Sequence, residues 1–143
     1  MGTFVVDAGV IVKWLLADPE NGSDTGRATA LMSAVVTGEH RLLQPVHWLA
    51  EVAAVLARVS PSTASEDVQM LRAMDWPVAD DPLIWERAVQ LSLATHQRLF
   101  DTLYHAVALE SPAATLVTAD RRYRQQAEGF GRIIDLREWP SGI

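Results

Sequence analysis

Cysteine is absent from the 143 residues. That removes disulfide scaffolds, zinc fingers, iron–sulfur ligation and thiol nucleophiles together, and it fits a reducing compartment. Lysine is almost absent as well: Lys13 stands alone against eleven arginines. Arginine suits bidentate contacts to phosphate and carboxylate, although GC-biased codon usage produces the same imbalance. No apolar run approaches the length of a membrane span. The N-terminus lacks a charged segment followed by an apolar core, and Val6 stands where a myristoylation signal needs Ser or Thr. A soluble cytoplasmic protein is expected. No GxGxxG, GxxxxGK[ST] or GxSxG pattern occurs. The four histidines, His40, His47, His96 and His105, show no ligand spacing and read as structural or surface residues. The net charge of −6 and pI near 5.1 argue against a protein that coats nucleic acid. They leave room for an enzyme that handles it locally.

The length fits one domain, and such a chain buries about two-thirds of its unfolded surface. Short apolar runs alternate with amphipathic stretches. Strands are expected at Thr3–Val6, Arg41–Gln44, Trp76–Ala79, Thr115–Thr118 and Arg132–Asp135. Helices are expected at Ala8–Leu16, closed by Asp18-Pro19, and at Asp24–Thr37 after a polar loop over Asn21–Asp24, with Gly38 as its stop. Pro45 suits a first helical turn leading into Val46–Val59. Further helices follow at Ser62–Met74, Leu83–Thr95 behind an Asp81 cap and Pro82, Phe100–Leu109, and Asp120–Glu128. Trp14, Trp48, Trp76 and Trp85 sit among apolar neighbours and are expected in core or dimer packing. Alternating strands and helices predict a three-layer α/β/α sandwich on a mainly parallel sheet. In such sheets ligands bind beyond the carboxyl ends of the strands.

That rule directs attention to four carboxylates. Asp7 follows the first strand directly, and Asp120 follows the Leu116-Val117-Thr118 strand by one residue. If those strands are neighbours, both side chains face one crevice. Each also reads as a helix N-cap. Glu51 is the only formal charge between Gln44 and Ala57, and burying it beside an apolar helix face requires a partner such as a metal ion or an arginine. Asp101 reads either as the N-cap of a helix over Thr102–Leu109 or as a site residue. Four carboxylates from separate segments can hold hard cations such as Mg²⁺ or Mn²⁺. Like charges this close predict at least one raised pKa when no metal is bound. The basic run Arg121-Arg122-Tyr123-Arg124 sits at a helix N-terminus and needs a counter-charge. A phosphate or the carboxylates can supply it, and Tyr123 can stack on a base. A solvated helix face also accounts for Arg122 and Arg124.

The segments VVDAGVIVKWLL, LLQPVHWLAEVAAVL, RLFDTLYHAVAL and LVTADRRY, in that order, resemble the PIN-domain ribonucleases, and among them the VapC-type toxins of toxin–antitoxin pairs. The resemblance runs from Val5 to about Leu136. It implies a PIN-like α/β/α sandwich and a Mg²⁺- or Mn²⁺-dependent endoribonuclease. Asp7, Glu51, Asp101 and Asp120 match the acidic quartet. Asp7, Asp101 and Asp120 match the metal ligands, and Thr118 the hydroxyl residue two positions before the last aspartate. The resemblance implies that the metal activates water and stabilises the phosphorane, leaving a 5′-phosphate and a 3′-hydroxyl. It further implies a homodimer and a cognate antitoxin protein that plugs the site, with Arg121 a candidate contact for RNA substrate or antitoxin. In one respect the chain departs from the family: two positions after the first aspartate, where Ser, Thr or Asn is usual, it has Gly9. A weakened PIN-like module that acts only by binding protein is therefore the competing reading. A receiver-type signalling domain fits poorly, because Asp7 has no acidic neighbour and the sole lysine lies on the first helix.

Overall fold

The computed structural model describes residues 2–16 and 23–140. Four strands form a wholly parallel sheet: β1 (Thr3–Val6), β2 (Arg41–Leu42), β5 (Ala114–Thr118) and β6 (Ile133–Asp135), in the order β2-β1-β5-β6. A separate parallel pair joins β3 (Gln44–Pro45) to β4 (Val78–Ala79). The helices are α1 (Ala8–Leu16), α2 (Ser23–Val36), α3 (Trp48–Val59), α4 (Ala64–Ala73), α5 (Pro82–Thr95), α6 (Leu99–Glu110) and α7 (Arg121–Ala127). Helix α1 packs on α2 and α3, α6 lies across β1 and β5, and α7 lies against β6. Helices and sheet make the expected α/β/α sandwich.

The central strands β1 and β5 are buried almost throughout, as parallel strands covered on both faces must be. Their register pairs Val6 with Val117, and the Asp7 amide donates to the Val117 carbonyl at 3.3 Å. Both strands therefore end at the same level, and the residues that follow them meet at one edge of the sheet.

Most expected elements lie where the sequence places them, within a residue or two at their ends. Asp81 caps α5 by accepting from the Leu83 amide at 2.8 Å, with Pro82 in the first turn. Gly38, at φ +84°, takes the left-handed turn after α2, a conformation glycine enters without a Cβ penalty. The stop at Asp18-Pro19 and the start of the polar loop at Asn21 lie outside the described residues; Ser23 and Asp24 already belong to α2.

Three expectations are corrected. The strand expected over Arg41–Gln44 is two pieces: β2 ends at Leu42, and Gln44 pairs with a different strand, β4. The buried Gln44 side chain then takes over where β2 stops. Its amide oxygen accepts from the Val6 N–H at 3.0 Å and its amide nitrogen donates to the Val6 carbonyl at 2.9 Å. One side chain thus does the work of a strand residue for a buried backbone that cannot be left unpaired. Pro45 stands in β3 and not in a first helical turn; helix α3 starts three residues later, behind His47. Proline is tolerated there because β3 is one of only two strands in its ladder, so a missing N–H costs no central pairing. Asp101 is not a cap. Arg98 holds the N-cap position of α6, and Asp101 lies inside the first turn.

Of the tryptophans, Trp48 is buried and packs 5.3 Å from Trp76, and Trp14 packs against the core. Trp85 lies on the surface, where its indole N–H donates to Asp80 at 2.7 Å.

Candidate active site

A cleft of about 670 Å³ opens beyond the carboxyl ends of β1 and β5, and Asp7, Glu51, Asp101 and Asp120 all line it. The structure thus brings together the four carboxylates singled out in the sequence.

Asp7 is the most constrained of them. Its Oδ1 accepts from the Val10 amide at 3.1 Å, in the manner of a cap on α1. Its Oδ2 accepts from the Ala119 amide at 3.1 Å and from the Thr118 hydroxyl. All three donors are neutral, and among the described residues no cation pairs with Asp7. Burial pushes its carboxyl up to about 6, against the partial relief of those hydrogen bonds; the Asp120 charge adds to the rise. The raised pKa expected from like-charge repulsion is present, but desolvation is its main cause and repulsion the smaller one.

Asp120 reaches the cleft because β5 stops at Thr118 and α7 starts at Arg121. It caps α7, its Oδ1 accepting from the Tyr123 amide at 3.0 Å. Capping and site roles coexist for Asp7 and Asp120, since each spends Oδ1 on its helix. The Thr118 hydroxyl also accepts from the Asp120 amide at 3.0 Å, which ties the two aspartates through one side chain.

Glu51 lies in the first turn of α3 and is half-buried. Among the described residues its hydrogen-bond partner is a tyrosine and not an arginine: the buried Tyr104 hydroxyl donates to Oε1 at 2.9 Å. Burial and the Glu51 charge hold the Tyr104 proton far above its ordinary range, so the phenol stays a donor. Asp101 sits opposite on α6 and is gripped from the rim by Arg98, whose Nε and Nη2 lie 3.3 and 3.4 Å from Oδ2 and Oδ1. Arg98 is 73% exposed, so this pair contributes little to stability. Its effect is to partly neutralise Asp101.

Among the described residues, no three Asp, Glu or His side chains stand close enough to close around one ion as they lie. The donor set is nevertheless all oxygen, the preference of hard cations. The half-buried carboxylate of Asp7 has its negative charge met by neutral donors alone, so the residues present suit such an ion. Gly9 lies beside this point. A Cβ built on it would stand 3.4 Å from Asp7 Oδ1 and 3.4 Å from the Ala119 Cβ, ordinary contact distances. A side chain fits there, and what glycine omits is a hydroxyl next to Asp7.

The arginines of the basic run do not line the cleft, whereas Tyr123 does. Tyr123 is buried, with its hydroxyl 3.0 Å from His105 Nδ1, and is not free to stack on a base. Arg124 pairs with Glu128 and with Glu138, the latter at 3.1 Å. Arg121 is exposed at the start of α7, is not part of the cleft lining, and acts electrostatically on Asp135. The cations that do line the cleft are Lys13, Arg58 and Arg98. Sequence reasoning missed them and Tyr104. A signal for Tyr104 was present: it follows Asp101 by three residues, which puts both on one face of a helix.

A profile of the PIN domain matches residues 4–129. Among solved structures, the crystal structure of PAE2754 from Pyrobaculum aerophilum is similar, with a TM-score of 0.63 and 20% identity over 95% of this chain and 90% of that one. That likeness is one of fold. A search of curated protein sequences gave no significant match.

Proposed function

The chain belongs to the PIN-domain family, whose members are in general metal-dependent nucleases, and on that premise we propose that it is a Mg²⁺- or Mn²⁺-dependent endoribonuclease acting as the toxin of a toxin–antitoxin pair. The observation that carries the reading is Asp7, a half-buried carboxylate at the end of β1, held by neutral donors and facing three more carboxylates across one cleft. Asp7, Asp101 and Asp120 are the ligands in this reading. A bound divalent cation would supply the positive charge that relieves their repulsion and stabilises charge developing on the phosphoryl oxygens.

The chain's own residues have separable tasks. Thr118 and the Ala119 amide fix the Asp7 carboxylate from behind. Glu51 has Oε1 occupied by Tyr104, while Oε2 makes no hydrogen bond among the described residues. In this reading Oε2, the oxygen left free by Tyr104, takes a proton from the attacking water. Hydrolysis on this plan leaves a 5′-phosphate and a 3′-hydroxyl. The cytoplasmic setting, the homodimer and the inhibition by a cognate antitoxin belong to the same proposal. They draw support from the family membership alone.

The test is Mn²⁺ calorimetry and RNA cleavage on partner-free protein. Saturable binding and divalent-dependent cleavage are expected. Absence of both would sink the nuclease reading and favour the protein-binding module, which Gly9 supports by leaving out a hydroxyl beside Asp7. Growth inhibition that persists unchanged in Asp7→Asn would point the same way.

Tyr104→Phe gives a finer check. Loss of the donor at 2.9 Å should lower stability by about 1 kcal/mol. Glu51 would then lose the donor that fixes its orientation, so kcat should fall several-fold while KM changes little. An unchanged kcat would mean that Tyr104 only fills space.

A further inference from the structure

We propose that Lys13 and Arg58 form a cationic lip that binds the backbone phosphates flanking the scissile bond of a single-stranded nucleic acid; this rests on the nuclease reading above. The first observation is availability. Arg87, Arg98, Arg124 and Arg137 are each ion-paired to a carboxylate, and Arg132 donates to the Ala108 and Ser111 carbonyls. Lys13 and Arg58 line the cleft yet make no ion pair or hydrogen bond among the described residues. They are cations held beside four carboxylates without being consumed by them.

The second observation is placement. Helix α1 starts immediately after Asp7, and Gly9 and Lys13, four residues apart, share its cleft face. On α3 the cleft face reads Glu51, Ala54, Val55, Arg58, the i, i+3, i+4, i+7 spacing of one helical stripe. The two helices pack against each other. At 1.5 Å per residue, Lys13 lies about 9 Å along α1 from Asp7, and Arg58 about 10 Å along α3 from Glu51. Each wall helix thus carries a carboxylate at its inner end and a free cation two turns further out. Such separations suit the phosphates next to the scissile one, not the scissile phosphate itself.

The third is charge. The protein carries −6 overall, and its cleft floor is acidic, so a polyanion is repelled unless positive charge meets it at the entrance. The wall between floor and lip is made of Gly9, Ala54 and Val55, which offer no side-chain donors to base edges. Recognition by this lip is of phosphate and is blind to sequence.

The experiment measures binding of a short fluorescein-labelled single-stranded RNA by anisotropy across a salt series, with Ca²⁺ present in place of the catalytic ion. Mn²⁺ calorimetry is run on the same preparations. Lys13→Gln/Arg58→Gln should weaken RNA binding by about tenfold and reduce the slope of log K against log salt by about 1.4, the value for two lost phosphate contacts on a single strand. Its Mn²⁺ affinity should match wild type, which also shows that the variant is folded. Lys13→Arg/Arg58→Lys should keep the wild-type slope. Arg72→Gln, an exposed cation on α4 outside the cleft, should leave it unchanged. An unaltered slope in the double glutamine variant overturns the lip while leaving the nuclease reading intact. So does wild-type protein that binds Mn²⁺ but no RNA. Wild-type protein that binds neither removes the nuclease reading and the lip with it.

Discussion

Asp7→Asn should make the metal-free protein more stable above pH 6 relative to wild type than it is at pH 4, and should lower divalent-dependent cleavage by at least about 100-fold. The stability effect follows from a carboxyl raised from an ordinary 3.8 to about 6 in the folded state. Between those values the folded protein holds the proton more tightly than the unfolded chain. The stabilisation from this group is therefore complete below about pH 4 and is lost as pH rises through 6. The full shift corresponds to about 3 kcal/mol; because Asp7 keeps part of its surface open to the cleft, about 1–3 kcal/mol is expected. Asparagine removes this slope. Its amide oxygen can replace Oδ2 as acceptor for Thr118 and Ala119, while its NH₂ must face the Val10 N–H and forfeits that bond, a pH-independent loss of about 1 kcal/mol. Urea titrations of both proteins in chelator from pH 4 to 8 read the difference. Parallel curves would show that Asp7 is not a strained carboxylate. Saturating Mn²⁺ should stabilise wild type by about 2.7 kcal/mol at 100 times its Kd and leave the variant almost unmoved.

The second large effect lies outside the cleft. His105→Ala should cost about 3–5 kcal/mol, from a cavity and two orphaned polar groups. The His105 side chain is fully buried on α6. Its Nε2 lies 2.7 Å from the Gly131 carbonyl, which can only accept, so Nε2 carries the proton and Nδ1 accepts from the Tyr123 hydroxyl at 3.0 Å. The Tyr123 ring meets the imidazole edge-on. Against a total stability of about 5–15 kcal/mol, such a loss should drop Tm by roughly 10 °C or more. A double-mutant cycle identifies the cause. Tyr123→Phe should cost about 1 kcal/mol in wild type, but little in His105→Ala, where the hydroxyl is already unpaired. Additive losses would refute the pairing. Burial also holds the imidazole below its ordinary 6.5. The unfolded chain therefore takes up the proton first, and the contribution of His105 is present above pH 6.5 and lost as pH falls below it. This slope opposes that of Asp7, and comparing Asp7→Asn with wild type at each pH cancels it.

These two residues also mark what the sequence could and could not tell. Asp7 and Asp120 were legible because strand–carboxylate–helix is a local pattern, and the parallel pairing of β1 with β5 then puts both at one edge. His105 was legible as structural because an isolated histidine in an apolar helix has no ligand partner in sequence. The partner of Glu51 was not, since it comes from Tyr104, 53 residues away, and proximity of that kind is a product of packing. Pro45 satisfies the backbone rules of a first helical turn and of an outer strand equally well, so only the pairing with β4 decides between them. Gln44 carries no local signal that its side chain will stand in for a strand. The free cations Lys13 and Arg58 were hidden for a related reason: a charge declares itself unpaired only once every possible partner has been placed.

The hydrogen bond from Thr118 to Asp7 joins residues 111 positions apart. During synthesis the first strand leaves the ribosome before the segment that orients its aspartate, which follows only after helices α1 to α6 have been made. A nascent chain that stops short of Ala114 carries Asp7, Glu51 and Asp101 but has no β5 to hold β1 and no Thr118 or Ala119 to aim the first carboxylate. On the nuclease reading proposed above, a chain released before β5 should therefore lack divalent-dependent cleavage even though it already carries three of the four carboxylates.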